Sequence, residues 1–80
     1  MKNILSRTID KTSPQVIILS DFCDVDAAVE VLRHGNPVIV NAASVERRDG
    51  YRAIDFLSGF VFAQNGKYRR IDDMIYRFEI

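Results

Sequence analysis

Tryptophan is missing from this 80-residue chain, cysteine and histidine occur once each, and proline only twice. With Cys23 alone, an intramolecular disulfide is excluded. No apolar run approaches the ~18 residues of a membrane-spanning helix or the core of a secretory signal, so the cytoplasm is the expected compartment. Charge of one sign is lacking too. Eleven basic and eleven acidic residues cancel, which leaves no overall field to draw the chain onto nucleic acid, and no nucleic-acid partner is expected. Also absent are GxGxxG, a P-loop, HExxH, CxxC and GxSxG, so neither an enzyme nor a cofactor is expected. His34 has no cysteine or histidine companion for metal binding. Asp21, Asp24 and Asp26 lack the glycine and the twelfth-position glutamate of a calcium loop and read as capping residues; no metal is expected.

What remains is 48% hydrophobic and 28% charged, the balance of a folded globular protein. A chain this short makes one domain around one modest core. Residues 1–14 are polar, weakly periodic and end in Ser13-Pro14, and they read as a flexible tail or linker before a core at 15–80. Met1, Ile4, Leu5 and Ile9 would share a face if the tail were helical, the pattern of an interfacial membrane anchor. A helix that short is marginal by itself.

"QVIILS" is a β-branched run of strand length and is expected to be buried. "DVDAAVEVLRHG" changes period, with Asp24 as a cap, Val25, Ala28, Val29 and Leu32 at helical spacing, and Gly35 at the C-terminal turn. "NPVIVNAA" is a second buried strand by the same logic as the first. Strand, helix and strand within about thirty residues suggest a βαβ unit with parallel strands.

Ser44 then offers an N-cap, and Glu46 falls in the expected first turn of a long second helix. Around that helix Arg48, Arg52, Asp55 and Gly59 form one narrow stripe, while Tyr51, Phe56, Phe60, Phe62 and other apolar residues occupy most of the rest. One small sheet cannot cover so wide an apolar surface, and a second copy of the chain is the expected partner. Gly59 is costly in a helix interior, which points to close approach of another backbone. Helical spacing across the glycine favours a helix ending near Gln64 with Gly66 as its cap. The competing reading makes Asn65-Gly66 a hairpin turn.

"KYRRIDDMIYRFEI" reads as a β-hairpin split at Asp72-Asp73. Met74, Tyr76, Phe78 and Ile80 alternate with Ile75, Arg77 and Glu79, so one face is core-like and the other mixed. Lys67, Arg69 and Arg70 surround Tyr68, an arrangement open to edge protection or to capture of a short peptide.

The stretch from "NPVIVNAA" to the end, and above all "RAIDFLSG" at residues 52–59 followed by Gly66 and a basic strand, resembles the core domain of the SepF family of cell-division proteins. The likeness runs from about Gln15 to Ile80. It implies a compact two-layer α/β sandwich, two helices on a small mixed sheet, that dimerises, assembles into polymers and binds the C-terminal tail of FtsZ at the division site. Carried over residue by residue, it assigns tail binding to Arg70 and Tyr76, with Lys67 and Tyr68 beside them, and assembly to Gly59. Phe56, Phe60 and Phe62 join Gly59 in the self-association surface. Family members usually begin with a membrane-targeting helix, so membrane binding is expected only if an N-terminal anchor is present. A dimeric small-ligand regulatory domain is the alternative, with Asn41 and Ser44 as its best polar candidates.

Overall fold

The computed structural model describes residues 13–80; the possible anchor face of Met1, Ile4, Leu5 and Ile9 lies outside them. Strand β1 (Gln15–Ile18) leads through a 3₁₀ turn (Phe22–Asp24) into helix α1 (Val25–Arg33) and strand β2 (Val38–Asn41). Helix α2 (Arg47–Ala63) and a hairpin of β3 (Lys67–Asp72) and β4 (Ile75–Glu79) complete the chain. The sheet order is β1-β2-β4-β3, with β1 and β2 parallel and the other neighbours antiparallel. The βαβ unit is therefore present, and the hairpin adds β4 beside its central strand. This is a two-layer α/β sandwich of two helices on a mixed sheet.

Its core is the layer between helices and sheet: Leu19, Val25, Ala28, Leu32, Val38, Val40, Ala53, Leu57, Val61 and Phe78 are essentially inaccessible. Burying each of the larger side chains contributes about 1.5–3 kcal/mol. Helices lie on one face only, which corrects the expectation for the first two strands. Val16 and Ile18 remain 63% and 62% exposed on the edge strand β1, while Ile17 packs against the core. In β2, Val38 and Val40 are buried and Ile39 is half-buried. An unbroken β-branched run suggests cover on both faces; here the pleat turns alternate residues of that run toward an open face.

Both helices end in the same device. After α1, Gly35 adopts φ 90° and its N–H donates to the Leu32 carbonyl, while Asn36 N–H donates to that of Val31. After α2, Asn65 takes the left-handed conformation at φ 61°, and Gly66 N–H donates to the Val61 carbonyl at 2.7 Å. This pairing of the two residues past the cap with the last-turn carbonyls satisfies groups that would otherwise lack partners. The hairpin alternative at Asn65-Gly66 is thus replaced by a helix end, and the left-handed residue is Asn65 instead of Gly66. Gly66 is needed for another reason: a Cβ there would press on the Glu79 carbonyl oxygen and lie 2.8 Å from Ile80 Cγ2.

The helix starts differ from expectation. Asp24 sends its carboxylate back to accept from the Ser20 and Asp21 N–H groups, while Asp21 accepts from Cys23 N–H, a reciprocal cap of the 3₁₀ turn that precedes α1. Helix α2 begins three residues after Ser44. Glu46 holds its N-cap position without a side-chain cap bond, and Asp49 is the acidic residue of its first turn. The Asn41 side chain accepts from Ala43 N–H at 2.9 Å, and that local turn carries the chain past Ser44 before the helix begins. A bulge between Arg70 and Asp72 moves the hairpin turn one residue on, to Asp73 and Met74, and Met74 adopts φ 60° with its side chain buried.

Candidate functional site

Strand alternation and pairing register divide the hairpin into two faces. Tyr68 pairs with Phe78 and Arg70 with Tyr76, and Phe78, fully buried, marks theirs as the helix-side face. Three rings form a ladder across it. The Tyr68 and Phe78 centroids are 5.8 Å apart, and those of Tyr76 and Phe78 are 6.2 Å apart. Tyr68 is 49% exposed at the outer edge, whereas Tyr76 is half-buried against the core. Arg70 donates from Nε to the Asp72 carbonyl at 3.4 Å and has no ion pair within 4 Å among the described residues. The patch thus offers a flat apolar surface, a phenol and a guanidinium without a carboxylate partner.

Lys67 is not on that face. It pairs with Glu79 across the strands, and Arg69 pairs with Arg77, on the side of the sheet turned away from the helices. The four hairpin residues therefore separate, with Tyr68, Arg70 and Tyr76 together and Lys67 opposite. Alternation in "KYRR" contains this division, but it becomes assignable only once Phe78 fixes which face is inside.

An additional link ties the hairpin turn to α2. Arg47 donates from Nη1 and Nη2 to the Asp73 carboxylate at 3.2 and 3.3 Å, and from Nη2 to the Tyr51 hydroxyl at 2.9 Å. Hydrogen bonding to that guanidinium, reinforced by its charge, holds the Asp73 carboxyl below the usual carboxylate range, and the Arg47 pKa is raised in turn. Sequence reasoning missed this pair because 26 residues separate its members.

On α2, the buried arc comprises Gly50, Ala53, Ile54, Leu57 and Val61. The apolar circumference is consequently only part-covered. Phe60 packs at the core margin. Phe56 is half-exposed, its ring edge-on to Phe22 at 6.2 Å, and the Arg52 guanidinium lies 4.4 Å over the Phe22 ring. Phe62 stands 81% exposed. At 100° per residue Gly59 falls between Phe56 and Phe62, and a Cβ built on it meets nothing within 4 Å. Among the described residues there is no packing reason for that glycine. The four self-association candidates thus share one arc of α2, Phe60 at its inner margin and Phe62 at its outer one.

His34 caps α1, its Nδ1 2.8 Å from the Glu30 carbonyl oxygen, and Cys23 is exposed. Among the described residues no group of three or more His, Cys, Asp or Glu side chains is gathered to hold a metal ion, and no helix is long and apolar enough to cross a membrane.

The sequence profile of a family described as "Cell division protein SepF" matches residues 15–78. A protein of that name from Brevibacillus brevis is 42% identical over 55 residues, covering 69% of this chain and 39% of the relative. A "Cell division protein SepF 2" from Desulforamulus reducens is 37% identical over 57 residues, 71% of this chain and 35% of the relative. Another SepF, from Caldanaerobacter subterraneus, is 33% identical over 69 residues, 81% of this chain and 52% of the relative. The chain spans roughly a third to a half of the length of these curated relatives.

Proposed function

The chain belongs to the SepF family of cell-division proteins, and from that premise we propose that it is a non-enzymatic adaptor that self-assembles and binds the C-terminal tail of FtsZ, aligning or anchoring the division ring. The observation that carries this reading is the helix-side patch of Tyr68, Arg70 and Tyr76. A short tail with acidic and apolar residues meets there a guanidinium with no ion pair among the described residues, the exposed phenol of Tyr68 and the half-buried ring of Tyr76. The rings supply most of the affinity by excluding water, and the arginine supplies orientation and encounter rate. Lys67, on the other face, contributes at most long-range charge, attenuated over a Debye length of ~8 Å at physiological salt.

Self-association is assigned to the exposed arc of α2, with Phe56, Phe60 and Phe62 providing apolar area around Gly59. Absence of a side chain at Gly59 lets a second helix approach closely. The site of action is the cytoplasmic side of the division site, with membrane contact only through an N-terminal anchor.

Titration of the full chain with a synthetic FtsZ C-terminal peptide tests the reading. Saturable binding is expected, weakened about thirtyfold, or ~2 kcal/mol, by loss of an aromatic anchor in Tyr68→Ala. Arg70→Glu should weaken it as well and flatten its salt dependence. Unsaturable binding, or binding indifferent to both substitutions, contradicts the assignment.

A further inference from the structure

On the sheet face turned away from the helices, Arg69 lies directly opposite Arg77, and Lys67 directly opposite Glu79. Like charges facing each other across an antiparallel pair are unfavourable. Among the described residues one carboxylate offsets them: Arg77 Nη1 donates to Glu79, and Lys67 Nζ lies 3.8 Å from the same group. The Arg69 side chain makes no hydrogen bond or ion pair among the described residues. Protection of an exposed edge explains a charged β3. It does not explain Arg77, which sits on the interior strand β4 with its side chain only 25% exposed. Together with Tyr68, these four residues line a cleft of about 290 Å³.

We propose that Lys67, Arg69 and Arg77 form a binding site for a phosphate-bearing anion on the open face of the sheet. Three cations against Glu79 leave a surplus of two charges, the charge that a phosphate monoester approaches near neutral pH. Two guanidiniums offer planar, paired N–H donors matched to phosphate oxygens, and the lysine ammonium adds a mobile third contact. Glu79 holds the Arg77 guanidinium in place while leaving Arg69 free to close on the anion. The cleft approaches the lower end of small-molecule sites in volume, so there is room for an organic substituent on the phosphate. A soluble phosphomonoester and the phosphomonoester headgroup of phosphatidic acid share this chemistry.

The test titrates the full chain with glycerol 3-phosphate and pyrophosphate in solution, and separately with phosphatidic acid vesicles against phosphatidylcholine vesicles. Arg69→Gln is the diagnostic variant, since the Arg69 side chain makes no hydrogen bond or ion pair among the described residues, and Arg70→Gln is the control on the opposite face. Saturable binding of a soluble anion, weakened at least about tenfold by Arg69→Gln and unchanged by Arg70→Gln, supports the site with a soluble ligand. Binding confined to the anionic vesicles with the same response to the two variants supports it with a lipid headgroup. No saturable binding in either arm overturns the proposal, and so does binding that Arg69→Gln leaves intact.

Discussion

Two glycines in and beside the same helix separate what the monomer requires from what it does not. Gly66 has the Glu79 carbonyl oxygen and Ile80 Cα against the position of a Cβ, backbone atoms that cannot swing aside, with Ile80 Cγ2 beside them. Gly66→Ala should therefore destabilise the fold by about 1–3 kcal/mol, read as a lowered denaturant midpoint. Gly59 has open space at the same position, and there alanine should stabilise an isolated α2 by about 1 kcal/mol through helix propensity alone. An equal loss of stability in both variants would mean that Gly59 is a packing residue of the monomer. Tyr76 lies between these cases. Its ring stacks on Phe78 and is half-buried, so Tyr76→Ala should lower the melting temperature along with any effect on binding. Tyr68, at the exposed end of the ladder, is the cleaner probe.

At the scale of elements, ionic contacts that titrate tie the hairpin turn to α2 and link residues within the hairpin itself. Asp73 is kept below the usual carboxylate range by Arg47, and Glu79 by its hydrogen bond from Arg77 with help from Lys67. A carboxyl depressed in the folded state favours folding above its unfolded pKa, about 4, and that contribution is lost as pH falls through the lowered value. Carboxyl-carbon NMR should show both groups titrating below the usual carboxylate range. Arg47→Ala should return Asp73 to the usual range without moving Glu79. Coincident titration of Asp73 in the parent and the variant would show that the Arg47 contact does not persist in solution. The βαβ unit, the helix across Gly59 and the hairpin were all legible as changes of period. The caps were not, since Ser44, Asn41 and Asp24 all have capping chemistry and only the path of the backbone decides which of them uses it. Single-sided burial of β1 and β2 was equally hidden: "QVIILS" reads the same for a covered strand and for an edge strand with an open face.

For the whole molecule, the exposed arc of α2 leaves Phe56 and Phe62 uncovered, and the open sheet face leaves Val16 and Ile18 uncovered. Sedimentation should give about twice the monomer mass, and Gly59→Lys should block larger assembly while leaving the fold intact, because the added side chain points into open space within one copy. A clean monomer at high micromolar concentration would remove the self-association reading. The candidate tail site was partly legible in the same way. Arg70 and Tyr76 meet as register partners, but the separation of Lys67 from them depends on which face carries Phe78. The central claim is that the helix-side hairpin patch captures an FtsZ tail, and amide chemical-shift mapping of the labelled full chain during addition of the FtsZ C-terminal peptide tests it most directly. Saturable shifts centred on Tyr68, Arg70 and Tyr76, and lost in Tyr68→Ala, are the predicted result. Shifts confined to Val16, Ile39 and Arg69 on the open face, or none that saturate, would contradict it.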